Sequence, residues 1–441
     1  MWLLCRIFFY AVVFILAYRL VVIKDNFALP LPPWCAAVIR FRALLFPGSP
    51  DDVGNTYATF PLPSRLFLLV RMGIYAANSA VWLCLWTVDD ILYPAYRDVP
   101  ISKPVFLVGG FRTGSTSLHR ALNLDAERYV TPRFLELVFP FIVFHKFLDF
   151  LEGLDKKLGT SIIHKIEARA QAAIGPEIMA QHPMSFYEAE EDDVLFAAWH
   201  LSGWYTGTMF PSASAWIACG QTSTFPEASK LKMWQFYQRV VQKVLWRRGQ
   251  GRAYLSKSHL IEFMPTVAKM CPDAHFVGTV RNPCDTFVSW YALSQSASLV
   301  MGRWQLPTAD AVKAHYVFWD KFGKKECDFF RDAATKRGAG GTACATNKTL
   351  VPFVEYMDNQ VACVKGLYKD MRITVSKEFD EALKNDEERH RNYKQTRTYT
   401  NPTLEELGTS AKEVEDKMGH YIEFFKLQRP KKDEAAASTK K

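Results

Sequence analysis

Residues Val105 to Leu122 read VFLVGGFRTGSTSLHRAL: an apolar strand pattern breaks into glycines and small hydroxyl residues before a helical pattern begins. Gly109, Gly114 and Thr116 fit the spacing of a phosphate-binding loop, in which two glycines with four residues between them precede a hydroxyl residue. Such a loop turns the backbone N–H groups of a helix start toward an anion. The lysine that nucleotide-hydrolysing loops carry after the second glycine is absent, and Ser115 stands in its place. The cation within the loop is Arg112, ahead of Gly114. A guanidinium makes two parallel hydrogen bonds to an oxyanion, which an ammonium does not. Ser115, Thr116 and Ser117 add hydroxyl donors at the helix start. The chemistry expected is oxyanion binding without the usual loop lysine.

A second pair of residues points to the same chemistry. Arg281 ends the strand pattern AHFVGTV, Asn282 and Pro283 turn the chain, and Ser289 follows two helical turns later. Such a pair can close on one phosphate from two sides. Three candidates compete to take a proton from an acceptor. Glu136 lies in TPRFLEL, beyond the helix that the loop opens. His259, in SKSHL, follows a strand C-terminus, where site residues of α/β sheets gather. The third is the acidic run Glu188, Glu190, Glu191, Asp192 and Asp193, whose ordinary reading is a solvated helix start. Lys257 either reaches an oxygen of the ligand or pairs with a nearby acid. Residue type alone leaves all of these open.

The elements that must position these groups follow from the pattern after Pro100, where short apolar strands alternate with helical segments. That alternation predicts an α/β fold, a P-loop-like parallel sheet flanked by helices. PVFLVG, RAYLSK (Arg252 to Lys257) and AHFVGTV (Ala274 to Val280) are the expected strands, with a helix beginning near Ile261. Phe134 to Leu158, Pro226 to Gly249 and Ser376 to Tyr393 are the expected long helices. Lys336 to Thr349 reads as a surface loop and holds a glycosylation triplet, Asn347-Lys348-Thr349, meaningful only in a secretory lumen.

With these residues in view, the sequence resembles the broad family of sulfotransferases that use 3′-phosphoadenosine 5′-phosphosulfate. In that family the loop reads roughly proline, arginine, serine or threonine, glycine and two further hydroxyl residues. FRTGSTSLHRAL matches from Arg112, with Phe111 replacing the usual proline. The stretch from Lys257 to Trp290 matches the family's second region nearly throughout, and the likeness extends from Pro104 to Phe425. It implies that Arg112, Thr113, Gly114, Ser115, Thr116 and Ser117 hold the 5′-phosphosulfate, and that Arg281 and Ser289 hold the 3′-phosphate. It also implies catalytic roles for Arg112 at the leaving phosphate and for Glu136, which sits where related enzymes carry a glutamate, with His259 as the competing base. The implied co-substrate is 3′-phosphoadenosine 5′-phosphosulfate, with no metal. The acceptor is a hydroxyl on a glycan, lipid, small molecule or protein. Two alternatives stand beside this reading: a P-loop kinase or other nucleotide-binding protein, and a sulfotransferase fold that has lost catalysis.

The 441 residues carry a net charge of +9, which suits an anionic ligand or a membrane surface. No block of basic and aromatic residues marks a nucleic-acid groove. Nine cysteines without a C-x-x-C exclude a dense disulfide framework and give no zinc signature. Trp2 to Ile23 is apolar apart from Arg6 and Arg19, long enough for an uncleaved signal anchor over residues 1–23. The expected organisation continues with a membrane-proximal region (24–100), a catalytic domain (101–425) and a charged tail (426–441). A second apolar run, Leu66 to Val88, contains Arg71 and Asn78. Its preferred reading is an amphipathic helix on the membrane or against the catalytic domain, and its alternative is a second span. The expected location is a membrane, single-pass or two-pass, of the Golgi or endoplasmic reticulum. Oligomeric state is not legible.

Overall fold

The computed structural model describes residues 62–200, 203–208, 222–249, 251–337, 347–396 and 400–427, together with Tyr10 and Val13. A long helix, α1 (Leu62–Leu92), leads into β1 (Val105–Gly109), the loop 110–114 and α2 (Ser115–Leu122). Next come β2 (Tyr129–Val130), α3 (Phe134–Val138), α4 (Ile142–Leu158), α5 (Ile162–Ile174), α6 (Pro176–Gln181) and α7 (Asp193–His200). Then follow α8 (Glu227–Val244), β3 (Ala253–Ser258), α9 (Met264–Met270), β4 (His275–Val280), α10 (Pro283–Gly302) and α11 (Thr308–Arg337). The chain closes with β5 (Lys348–Pro352), α12 (Phe353–Asp358), α13 (Gln360–Asp370), α14 (Lys377–Thr396) and α15 (Ala411–Phe425).

The five strands form one parallel sheet in the order β2-β3-β1-β4-β5. Strand β1 is buried along its whole length because both faces of a parallel sheet are covered by helices. Its alternating side chains separate two cores. Phe106 and Val108 join Tyr254, Phe276 and Val280 on one face, while Val105 and Leu107 join Leu255, Val277, Leu367 and Tyr368 on the other. The chain leaves β1 for β2 and β3 on one side and returns to β4 on the other. The crevice at the C-terminal ends of β3, β1 and β4 is thus a topological switch point, where open α/β sheets bind ligands. Register places Leu107 beside Lys257, Val108 beside Ser258, and Gly109 beside Thr279.

Helix α1 corrects the second-span reading of Leu66 to Val88. Among the described residues no helix is long and apolar enough to cross a membrane. The expected membrane localisation is corrected by the same finding, and the proposed anchor over residues 1–23 lies outside the described residues apart from Tyr10 and Val13. One side of α1 packs against distant parts of the chain. Ser64 Oγ donates to the Arg303 carbonyl at 2.6 Å, Arg71 to the Met301 carbonyl at 2.6 Å, and Tyr75 to the Trp199 carbonyl. Trp82 stacks on Trp199 at 4.5 Å, and Trp86, fully buried, stacks on Phe236 at 5.4 Å. Asp89 accepts from the Ile142 and Val143 N–H groups and pairs with Lys243 at 3.0 Å, so α1 also anchors the start of α4.

Other boundaries differ for plain reasons. The helix expected over Phe134 to Leu158 is broken at Pro140, which has no N–H to continue the ladder, giving α3 and α4. The stretch expected as a loop up to Thr349 enters the edge strand β5 at Lys348. Asn347 Nδ2 donates to the Ala274 carbonyl at 2.6 Å, and Thr349 is buried against His275 at 2.9 Å. The glycosylation triplet is therefore built into the sheet edge, not presented on a free loop. Among the described residues Cys84, Cys271 and Cys327 form no disulfide.

Candidate active site

The loop after β1 is held from below by packing that only glycine permits. A Cβ on Gly109 would lie 2.6 Å from the Thr279 carbonyl oxygen, and one on Gly114 would lie 2.7 Å from the Phe353 ring. Gly114 also sits at φ +89, in the left-handed region that side chains disfavour. Thr113 Oγ1 donates to the Gly110 carbonyl and meets Thr279 Oγ1, both at 2.7 Å. Phe111, the residue that departs from the family pattern, is 2% exposed and acts as the loop's anchor. Its ring stacks on Trp290 at 3.9 Å and lies 4.1 Å from the His259 ring.

Three of the residues singled out as anion ligands meet at this loop. Arg112 Nε donates to Ser289 Oγ at 2.8 Å, and its Nη1 donates to the Gln181 carbonyl at 3.1 Å. Arg281 Nη1 donates to the Arg112 carbonyl at 3.1 Å, and its guanidinium lies over the Phe353 ring at 4.1 Å. Ser117 Oγ lies 3.1 Å from Tyr356 Oη. Ser115 is buried, while Thr116 bonds to a lysine from the neighbouring strand. Phe353, Tyr356 and the Gln181 carbonyl were not found from the sequence. The first two follow an edge strand whose short pattern gave no signal, and the third is a backbone group.

That lysine is Lys257, whose Nζ donates to Thr116 Oγ1 at 2.9 Å. It supplies from β3 the ammonium that the loop itself lacks. Lys257 also forms an ion pair with Glu191, and both side chains are buried. His259, 3% exposed, completes the cluster: its Nε2 is 3.3 Å from Glu191 Oε2, and its Nδ1 is 2.7 Å from the Gly109 carbonyl. A carbonyl only accepts, so Nδ1 carries a proton and Nε2 is the atom that gains or loses one. Burial alone would raise the pKa of Glu191, but the charge of Lys257 holds it well below the usual carboxylate value. Its other oxygen, Oε1, is buried and accepts no hydrogen bond among the described residues.

The rest of the acidic run is not a solvated helix start, except for exposed Glu188. Asp193 accepts from the His259 N–H at 2.8 Å, and burial pushes its pKa up to about 6. Asp192 accepts from Tyr237, Tyr254 and Ser256, yet burial still lifts it to about 7. Glu190 faces His182 at 3.3 Å. His182, Glu190 and Glu191 bring possible ligand atoms within 4.8 Å of one another, but Lys257 already pairs with Glu191 there.

Glu136 is placed differently. It is 3% exposed and, as the third residue of α3, accepts from the Arg133 N–H at 3.0 Å. Its Oε1 accepts from Arg247 and from Arg248 Nε, both at 2.9 Å, and its Oε2 from Arg248 Nη2 at 2.6 Å. Both carboxylate oxygens are thus taken by cations, whereas Glu191 Oε1 meets no hydrogen-bond donor among the described residues.

Comparison with known proteins agrees with this geometry. A family model described as "Sulfotransferase family" matches residues 104–331, from β1 into α11. Two curated relatives, the omega-hydroxy-beta-dihydromenaquinone-9 sulfotransferases Stf3 of Mycobacterium bovis and of Mycobacterium tuberculosis, are each 24% identical over 244 residues, 54% of this chain. The match spans 58% of the relatives' own length. Among solved structures, sulfotransferase STF1 from Mycobacterium tuberculosis superposes with a TM-score of 0.57 at 17% identity, covering 92% of this chain and 96% of that one. Sulfotransferase STF9 from Mycobacterium avium gives 0.61 at 15% identity, covering 83% and 87%. At these identities the structures establish a shared fold.

Proposed function

Because the chain belongs to the sulfotransferase family, we propose that it transfers a sulfuryl group from 3′-phosphoadenosine 5′-phosphosulfate to an acceptor hydroxyl. The observation that carries this reading is the meeting of Arg112, Arg281 and Ser289 around a glycine loop whose cation comes from Lys257. When bound, the donor supplies an activated sulfuryl group and leaves as adenosine 3′,5′-bisphosphate. The residues present suit such a ligand: guanidiniums, hydroxyls and helix N–H groups surround the loop. Arg281 and Ser289 hold the 3′-phosphate. Arg112 to Ser117 hold the 5′-phosphosulfate.

Sulfuryl transfer, like phosphoryl transfer, asks the protein mainly for alignment and for charge stabilisation at the leaving oxygen. Arg112 and Lys257 provide that charge. His259 takes the acceptor's proton on Nε2, because the Gly109 carbonyl keeps the other nitrogen protonated. Glu191 stabilises the imidazolium that forms. Glu136 in this reading orders Arg247 and Arg248. The acceptor is taken as an alcohol; the curated relatives are named for one such substrate, a hydroxylated dihydromenaquinone.

The test pairs binding to immobilised adenosine 3′,5′-bisphosphate with transfer of labelled sulfate to a lipid and glycan extract. Arg112→Ala is expected to lower turnover by roughly 100-fold or more, the equivalent of about 3 kcal/mol, while binding of the sulfate-free bisphosphate falls much less. Equal losses would reduce Arg112 to an anchor. No binding to the resin would end the reading.

A further inference from the structure

Between α3, α4 and α5 lies a cavity of about 270 Å³ that the transfer chemistry leaves unused. Leu135, Phe144, Leu148, Leu151, Ile163 and Phe186 form its walls. Among the described lining residues only Asp155 and Tyr187 are ionisable, and Asp155 is turned to its own helix junction, accepting from Thr160 and from the Ile163 N–H. Leu154, Leu158, Ile162 and Ile166, between 41% and 64% exposed, ring the open side.

The cavity is joined to the proton-accepting site by a short ladder. The Leu135 N–H donates to the Phe186 carbonyl at 3.2 Å, the Phe134 N–H to Glu188 at 3.2 Å, and the Glu190 N–H to Pro132 at 3.0 Å. Arg133 and Ala189 form an antiparallel bridge between them. One end of this ladder is cavity wall, and the other is Glu190 and Glu191. The five residue steps from Phe186 to Glu191 reach at most ~17 Å when extended.

We infer that the cavity receives the hydrocarbon chain of the acceptor, so that the substrate is an alcohol whose hydroxyl ends an apolar chain; this rests on the sulfotransfer reading above. A sugar or peptide would bury polar groups there without partners, at a cost of several kcal/mol. An apolar chain buries only methylenes, and the volume holds on the order of nine groups of water size at ~30 Å³ each. The exposed ring of leucines and isoleucines continues the same apolar surface outward.

A series of straight-chain primary alcohols, from butanol to hexadecanol, tests the assignment on the full chain. Two readouts are used: displacement of the fluorescent apolar probe anilinonaphthalene sulfonate, and kcat/KM for labelled sulfate transfer. Both should improve about fourfold per methylene, the ratio that matches about 0.8 kcal/mol, and then level off once the cavity is filled. Leu151→Trp narrows the cavity and should bring the plateau to shorter chains. Leu151→Asn, closer in volume, should flatten the slope and covers the case in which tryptophan disturbs folding. Equal transfer to all chain lengths, or variants with the wild-type slope, overturns the cavity assignment alone. Failure to bind adenosine 3′,5′-bisphosphate overturns the sulfotransfer reading beneath it.

Discussion

Replacing Glu136 with glutamine keeps the side chain's shape and removes the charge that balances Arg247 and Arg248. The carboxylate is 3% exposed and accepts three hydrogen bonds from those guanidiniums. Breaking a buried ion pair from one side costs about 3–5 kcal/mol, because the partner's charge is left uncompensated. The side chains of Arg247 and Arg248 are 14% and 22% exposed, so water screens part of the loss and the lower end, about 3 kcal/mol, is expected. At roughly 2–4 °C per kcal/mol the melting temperature should fall by about 6–12 °C. The pH dependence adds a signature. Burial would raise the carboxyl's pKa, but Arg248 and the Arg133 N–H hold it below its ordinary value of 4.5. Its contribution is therefore present above the unfolded value and lost as pH falls through the lowered folded value. Glu136→Gln should lack that acid-side loss. Thermal unfolding between pH 3 and 7 reads both effects, with sulfate transfer measured well below the melting temperature. There the variant should retain most of its turnover, whereas His259→Asn should lose about 100- to 10,000-fold with donor binding intact. A thermally normal but inactive Glu136→Gln would refute the reasoning and make Glu136 the base.

Arg281→Ala should raise the Kd for adenosine 3′,5′-bisphosphate by about 30- to 150-fold, the loss of about 2–3 kcal/mol from a charge-assisted phosphate contact; titration calorimetry checks it. Ser289→Ala should cost less, about 1 kcal/mol, even though it also frees Arg112 Nε. Gly114→Ala puts a methyl 2.7 Å from the Phe353 ring at φ +89, so bisphosphate affinity should drop at least about tenfold and stability by about 1–3 kcal/mol in urea unfolding. Glu326, buried on α11 against Tyr421 Oη at 2.9 Å, has its pKa pushed up to about 8 by burial. The folded state keeps a proton that the unfolded chain loses above 4.5, so wild-type stability should decline from there to pH 8. Glu326→Gln should remove that decline, and identical pH profiles would contradict the buried neutral acid.

The sequence alone determined the glycine loop between a strand and a helix and the α/β class, because these features are local. A glycine spacing, a strand end and a helix start lie within a few residues of one another, and their periodicities differ. The choice among bases was not local. Glu136, Glu191 and His259 are equally plausible as residue types, and only the fold shows two arginines from the end of α8 closing on the first while Lys257 and the Gly109 carbonyl orient the other two. The run Leu66 to Val88 was ambiguous for the same reason: hydropathy measures what a helix can bury, not what covers it. Trp199, Phe236 and the carbonyls of Met301 and Arg303 cover it, from more than a hundred residues away. The edge strand β5, with Phe353 and Tyr356 behind it, gave no signal because five residues at a sheet edge need no pattern of their own. Their pairing with β4 defines them.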